Sequence, residues 1–166
     1  ALVALVAAAL GATLVFPPSP RLVWNASASA PLGLYMVRPG APVARGDMVV
    51  VRLPEPARRL AAQRRYLPAN VPAIKRVAAV AGARVCASGA HILIDGKRVA
   101  ARLAADRHGR PLPWWHGCRT LGSGDVFLLM AGSRESFDGR YFGVTRRADI
   151  VGKARLLWSP HAGAGQ

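Results

Sequence analysis

Apolar residues fill the start of the chain without a charged side chain among them. This run covers residues 1–16, and Pro17-Pro-Ser-Pro20 follows it. A bilayer-spanning helix needs about 20 apolar residues, and the chain opens on alanine rather than methionine, which is consistent with a span that begins upstream. The pattern predicts a transmembrane anchor over residues 1–16 and a linker over residues 17–24.

A cleaved signal peptide is the alternative interpretation of this apolar run. Ala26-Ser-Ala28 and Ala28-Ser-Ala30 both resemble small-residue cleavage sites. The second site would place Pro31 directly after the cut, where its rigid ring hinders a peptidase. The anchor is therefore the interpretation that the pattern favours.

Short runs rich in β-branched residues follow, with glycine and proline between them, as is typical of β-strands. They occupy residues 33–37, 47–53, 74–80, 126–130 and 150–158. A further pattern, His91 to Val99, predicts a hairpin because Asp95-Gly96 fits a two-residue turn. The chain is thus expected to be mainly β.

Helix-forming residues are concentrated in one place outside the apolar start. They predict a helix from Ala57 to about Tyr66, which ends before Pro68. Residues 102–124 are rich in turn formers and predict a loop, and residues 161–166 predict a disordered tail. One folded domain, over residues 25–160, is expected from a chain of this length.

Charge and cysteine content narrow the class of protein. The formal net charge is +15, almost all of it from arginine, and suits an anionic partner such as lipid headgroups, nucleic acid or an acidic protein. Cys86 and Cys118 lack the close spacing of zinc or redox motifs, so no metal is expected. Outside the cytoplasm a disulfide between them would stabilise the domain by about 3–4 kcal/mol in the chain-entropy account. Two buried free thiols are the alternative.

Lys75 is one of three lysines in this arginine-rich chain, and it lies within the apolar residues 71–80. A desolvated lysine can be neutral near physiological pH and act as a base, whereas arginine cannot. The sequence contains no Gly-x-Ser-x-Gly, His-Glu-x-x-His or phosphate-loop motif. Because a serine nucleophile needs only a nearby base, Ser29 and Lys75 are a candidate pair, and no cofactor is expected.

The segment Ser136-Phe-Asp-Gly-Arg-Tyr-Phe-Gly143 resembles the last signature block of the Ser-Lys signal peptidase family. Residues 45–51 resemble the Gly-Asp strand of that family, residues 74–82 its lysine-bearing strand and residues 150–154 its closing strand. Asn25-Ala-Ser-Ala-Ser-Ala-Pro-Leu-Gly-Leu-Tyr35 is more similar to the conjugative-transfer, TraF-type branch. Members of that branch process pilin precursors.

The resemblance implies a signal-peptidase-like coiled β-sheet domain with one short helix, preceded by an N-terminal transmembrane helix. It implies that Ser29 is the nucleophile, that Lys75 is the general base and that Ser136 orients the lysine amine. Ser27 would contribute its hydroxyl to the oxyanion hole beside the Ser29 N–H.

The resemblance also implies an ion pair between Asp138 and Arg140 that braces the loop of Ser136. A solvated surface bridge worth under about 1 kcal/mol is the alternative. Three residues depart from the family pattern, namely Ala83, Ser133 and Gly139, the last of which replaces a serine.

The implied function is a membrane-bound serine endopeptidase that cleaves, or cyclises, an exported precursor such as a conjugative pilin. Its place would be the bacterial inner membrane, with a single span, the catalytic domain on the periplasmic face, and precursor and lipids as partners. The substrate is expected to add as a strand to the edge near Leu32 to Val37 and to the strand before Lys75.

Two other functions stay open from the sequence. One is a housekeeping signal peptidase that removes signal peptides. The other is a basic, membrane-tethered module that binds nucleic acid or lipid without catalysis. No stacking-aromatic motif supports the second function, so no nucleic acid is expected as a partner.

Overall fold

The computed structural model describes residues 2–15 and 20–160. The tail predicted over residues 161–166, and part of the predicted linker, lie outside the described residues.

The helices are α1 (Leu2–Val15), α2 (Glu55–Gln63) and α3 (Gly139–Phe142), with a 3-10 turn at Arg147–Asp149. The strands are β1 (Leu22–Asn25), β2 (Gly33–Arg38), β3 (Met48–Val51), β4 (Ala73–Ala79), β5 (Arg84–Ser88), β6 (His91–Ile94), β7 (Lys97–Ala101), β8 (Gly117–Thr120), β9 (Asp125–Leu128), β10 (Thr145–Arg146) and β11 (Ile150–Trp158).

These strands form two antiparallel sheets. The larger sheet has seven strands in the order β1-β2-β11-β3-β4-β9-β10, and the smaller has four in the order β7-β6-β5-β8. The last strand of the chain, β11, thus lies between β2 and β3. The prediction of a mainly β fold is confirmed.

Each of the five predicted strands is present, with ends that shift by up to two residues, and so is the predicted hairpin. Asp95 and Gly96 have φ angles of 50° and 78°, as a tight hairpin turn requires. The linker prediction is wrong at its end, because Leu22–Asn25 pairs with β2. The loop prediction for residues 102–124 is wrong at β8, whose four residues are all exposed and carry no apolar pattern.

Helix α2 begins two residues earlier than predicted. Pro56 lies in its first turn, where a missing N–H costs no hydrogen bond. Ala57 and Ala61 are buried and pack against β3, β4 and β9. The helix ends before Arg65, whose φ of 58° is left-handed.

Three hydrophobic clusters hold the elements together. One lies between α2 and the larger sheet. A second, with Phe127 and Ile92 among its members, joins the two sheets. The third contains Tyr35, Val50 and Ile74, and so fixes β2 against β3 and β4. Strands β2 and β4 are the two that adjoin the predicted catalytic residues.

Residues 2–15 form the first helix, and the side chains of residues 2–8 are exposed. Within residues 2–15 and 20–160, no helix combines the length and the apolar content that crossing a membrane requires. The anchor over residues 1–16 stays a prediction.

Candidate active site

Lys75 lies in the middle of β4, opposite Val49 of β3. Because side chains alternate along a strand, it shares its face with the buried residues Ala73 and Val77. Only 5% of Lys75 is exposed. Burial lowers the pKa of its amine from 10.5 to about 8; the nearby carboxylate of Asp138 opposes this shift.

The amine of Lys75 connects the two predicted serines. Its Nζ donates to Ser29 Oγ at 3.2 Å and to Ser136 Oγ at 2.9 Å. The three side chains come from places 46 and 61 residues apart in the chain. The fold therefore brings together the residues that the sequence singled out.

Ser29 lies in the loop between β1 and β2. Its hydroxyl is 2.8 Å from the hydroxyl of Ser27, and its backbone N–H donates to the same Ser27 oxygen at 3.3 Å. Two hydrogen-bond donors thus lie side by side next to the Ser29 hydroxyl, as an oxyanion-binding arrangement requires.

Ser136 is 1% exposed and lies in a turn between β9 and α3 that a buried ion pair braces. Asp138 accepts from the backbone N–H groups of Met130 and Arg140, and its Oδ1 is 3.7 Å from Arg140 Nε. The Arg140 guanidinium donates to three backbone carbonyls, those of Met130, Ser133 and Arg134. Because the side chains of Asp138 and Arg140 are 0% and 1% exposed, the surface-bridge alternative is wrong.

Two cavities meet at Ser29. One, of about 530 Å³, is lined by the end of β1, the residues that lead into Lys75 and the Ser136 turn. The other, of about 520 Å³, lies beyond Ser29, with Arg76 and Met130 on its wall. An extended chain through both cavities would pass over the Ser29 hydroxyl.

The expected docking edge near Leu32 to Val37 is not available. Strand β2 is paired on one side with β1 and on the other with β11, so it has no free edge. The walls of the larger cavity come instead from β1 and from residues 71–74. The sequence could not show this, because β1 is short and β11 arrives from the far end of the chain.

The connection between β7 and β8 contacts the segment after Ser136 through Trp115. Its indole N–H donates to the backbone oxygen of Gly139 at 2.9 Å, and the guanidinium of Arg102 lies 4.3 Å from the ring centre of Trp114. Both tryptophans thus pack locally, beside the segment that carries the Asp138–Arg140 pair.

Cys86 and Cys118 lie opposite each other in β5 and β8 and are joined by a disulfide. In the described part of the chain, no group of three histidine, cysteine or acidic side chains is placed to hold a metal ion.

The sequence pattern did not single out Asn25, which the structure places at the base of the Ser29 loop. Its side chain is buried and forms hydrogen bonds with Ser27, Ala30 and Pro31. The available signal was an asparagine two residues before a serine at a strand end, which is typical of a side chain that bonds to nearby backbone.

Comparison with known proteins gives a consistent result. Residues 1–159 match the family described as "Signal peptidase, peptidase S26". The chain is 34% identical over 146 residues to "Plasmid transfer protein TraF" of Escherichia coli, covering 81% of this chain and 82% of that protein. It is 37% identical over 148 residues to "Probable conjugal transfer protein TraF" of Sinorhizobium fredii (strain NBRC 101917 / NGR234), covering 82% and 77%.

Among solved structures, a signal peptidase I from Enterococcus faecalis V583 matches with a TM-score of 0.39 and 18% identity. The match covers 68% of this chain and 97% of that one.

Proposed function

We propose that this chain, which belongs to the signal peptidase family peptidase S26 and to its TraF-type branch, is a serine endopeptidase with a Ser29–Lys75 dyad. The observation that carries the proposal is the buried amine of Lys75, held between the hydroxyls of Ser29 and Ser136. A buried lysine with a lowered pKa and specific partners in a cleft is typical of a functional site.

The lowered pKa makes Lys75 a usable base. With a pKa of about 8, about a tenth of the amines are neutral at pH 7. The neutral Nζ accepts the Ser29 proton while Ser29 Oγ attacks the scissile carbonyl carbon. The hydrogen bond from Lys75 to Ser136 keeps the lone pair of the neutral amine aimed at Ser29.

The attack moves negative charge onto the carbonyl oxygen. That oxygen would enter between the Ser29 N–H and the Ser27 hydroxyl, in place of their present contact. Each such donor lowers the activation free energy of the reaction by about 3–4 kcal/mol. The protonated lysine then gives its proton to the leaving amine, which leaves an ester on Ser29.

The second half of the reaction uses the same groups. Lys75 takes a proton from water, or from an amine in a cyclising reaction, as that nucleophile attacks the ester carbonyl carbon. The bond from that carbon to Ser29 Oγ then breaks, and Lys75 returns the proton to Oγ, so that the free hydroxyl and the neutral amine are restored. The proposed substrate is an exported precursor such as a conjugative pilin. The support for that choice is the likeness to two proteins named as transfer proteins.

The proposed location is the inner membrane, with the catalytic domain on its periplasmic face and lipids as partners. An exposed apolar patch beside the larger cavity supports a membrane-facing site. Trp24 and Trp158 are 54% and 55% exposed, their rings lie 5.8 Å apart, and the exposed residues Leu22 and Leu157 lie within two residues of them in the chain. Tryptophan is enriched at the interface between lipid and water.

Cleavage of candidate precursors tests the proposal. Purified protein is incubated with pilin precursors and with signal-peptide-bearing precursors, and the product masses report the cut site and any cyclisation. We expect cleavage by the wild type and none by Ser29→Ala or Lys75→Ala. Full cleavage by either folded variant would refute the dyad, and cleavage only of signal-peptide precursors would favour the housekeeping function.

A further inference from the structure

Asn25 occupies the neck of the hairpin that carries Ser29. It is the last residue of β1 and pairs with Gly33, the first residue of β2, so that residues 26–32 form the loop between them. Asn25 is 6% exposed, whereas Ser27 in the loop is exposed and Ser29 is partly exposed. The loop thus projects from a buried carboxamide.

The carboxamide bonds to both arms of the loop. Its Nδ2 donates to the backbone oxygens of Ser27, Ala30 and Pro31 at 3.0, 3.1 and 3.0 Å. Its Oδ1 accepts from the Ser27 N–H at 3.1 Å. Because the two amide hydrogens serve three carbonyl oxygens, every hydrogen-bonding group of the side chain is in use.

The side chain of Tyr35 also bonds to the backbone of this loop. The hydroxyl of Tyr35, from β2, donates to the Pro31 oxygen at 2.8 Å. Elsewhere in the loop, Ala30 is buried in the third hydrophobic cluster, Ala26 and Ala28 are exposed, and one long backbone contact, 3.4 Å from the Ala30 N–H to the Ser27 oxygen, spans the loop.

We propose that Asn25 is a positioning residue for the cleavage reaction. It fixes the backbone from Ser27 to Pro31, and thereby sets the distance of Ser29 Oγ from Lys75 and keeps the two oxyanion donors side by side. The inference rests on the proposed function and adds a residue that touches neither the substrate's reacting atoms nor the lysine. A misplacement of about 1 Å can lower a rate about 100-fold.

The test compares two replacements that keep the branched shape of the Asn25 side chain. Asn25→Asp retains the acceptor for the Ser27 N–H but turns the donor toward three carbonyls into an oxygen that repels them. Asn25→Leu removes all four bonds. For both variants we expect kcat to fall about 100-fold and KM to change far less than kcat, because Asn25 is one of many residues that line the larger cavity and the wall from residues 71–74 is unchanged.

Hydrogen exchange adds a second measurement. The amides of Ser27 and Ser29 should exchange faster in Asn25→Leu, which removes the acceptor of the Ser27 N–H, while the amides of β3 and β4 keep their protection. Asn70→Asp is the matched control, because Asn70 is exposed in a turn, and its kcat should equal that of the wild type.

The outcomes separate this inference from the dyad itself. If Ser29→Ala is inactive but folded Asn25 variants keep the wild-type kcat, the positioning role is refuted and the dyad stands. If Ser29→Ala is active, the proposed dyad is refuted, and the positioning role that rests on it is refuted with it. Should both Asn25 variants not fold, Tyr35→Phe decides: a lower kcat at unchanged KM supports the inference, and an unchanged kcat overturns it.

Discussion

Gly139 packs directly against the backbone oxygen of Leu128. A Cβ built on Gly139 would lie 2.6 Å from that oxygen and 2.8 Å from the ring of Phe127. Gly139 stands between the buried residues Asp138 and Arg140. The Ser136 segment therefore lies against β9 at a distance that only glycine allows.

Replacement of this glycine is expected to damage the site. Gly139→Ala should lower the free energy of unfolding by about 1–3 kcal/mol, because the added methyl group must displace backbone or a packed ring. Peptidase activity should fall as well, since Ser136 precedes Gly139 by three residues. Thermal unfolding and cleavage assays measure the two effects. Gly124→Ala, which meets nothing within 4 Å, is the control; equal behaviour of the two variants would contradict the packing argument.

The activity should follow the titration of Lys75. Only the neutral amine can accept the Ser29 proton, so log kcat/KM should rise with pH by about one unit per pH unit and level off above the lysine pKa of about 8. Initial rates on a precursor peptide across that range provide the profile. A flat profile, or a midpoint near the ordinary lysine value of 10.5, would show that Lys75 does not act as the base.

Lys75 is also expected to reduce the stability of the protein. Its pKa of about 8 in the folded state and 10.5 as a free side chain correspond to about 3 kcal/mol, because burial penalises the charged form. The unfolded chain binds the proton more tightly, so the penalty is full below about pH 8 and disappears as the pH rises toward 10.5.

Lys75→Met should therefore raise the melting temperature at pH 7 by several degrees while it abolishes cleavage. The gain should shrink as the pH rises above 8. Lys97→Met is the control, since Lys97 is exposed and should change neither property. A lower or equal melting temperature for Lys75→Met at pH 7 would mean that the buried lysine carries no such penalty.

The disulfide should make a large contribution to stability. Cys86 and Cys118 are 32 residues apart, and a loop of that size corresponds to about 3–4 kcal/mol in the chain-entropy account. The double variant Cys86→Ser/Cys118→Ser should lose that much free energy of unfolding. It should therefore unfold at a lower denaturant concentration than the wild type. Mass measurement of unreduced, denatured and alkylated protein tests whether the disulfide is present. Two alkylated thiols would show that it is not.

The strands that could be predicted are those with a local signal. β11 and the β6–β7 hairpin have β-branched residues or a tight turn that needs no information from elsewhere in the chain. β1 and β8 could not be predicted in this way. Leu22–Asn25 and Gly117–Thr120 are short, mostly exposed strands whose geometry depends on pairing with β2 and β5.

In the site too, some features have a local sequence signal and others depend on the fold. Lys75 and Ser136 could be singled out because a lysine among apolar residues and a signature block are visible in the sequence. The buried state of the Asp138–Arg140 pair and the bonds of Asn25 could not, because they depend on backbone carbonyls whose positions only the fold fixes. For the same reason the docking edge at β2 was predicted wrongly.

The position of β11 has a consequence for the order of folding. The hairpin with Ser29 and the strand with Lys75 belong to one sheet only through β11, which pairs with β2 on one side and β3 on the other. A nascent chain that has not yet released Ile150–Trp158 from the ribosome therefore lacks the strand that sets its nucleophile against its base. A chain cut short before Ile150 would keep Ser29 and Lys75 in its sequence but lack the strand that joins their two parts of the sheet.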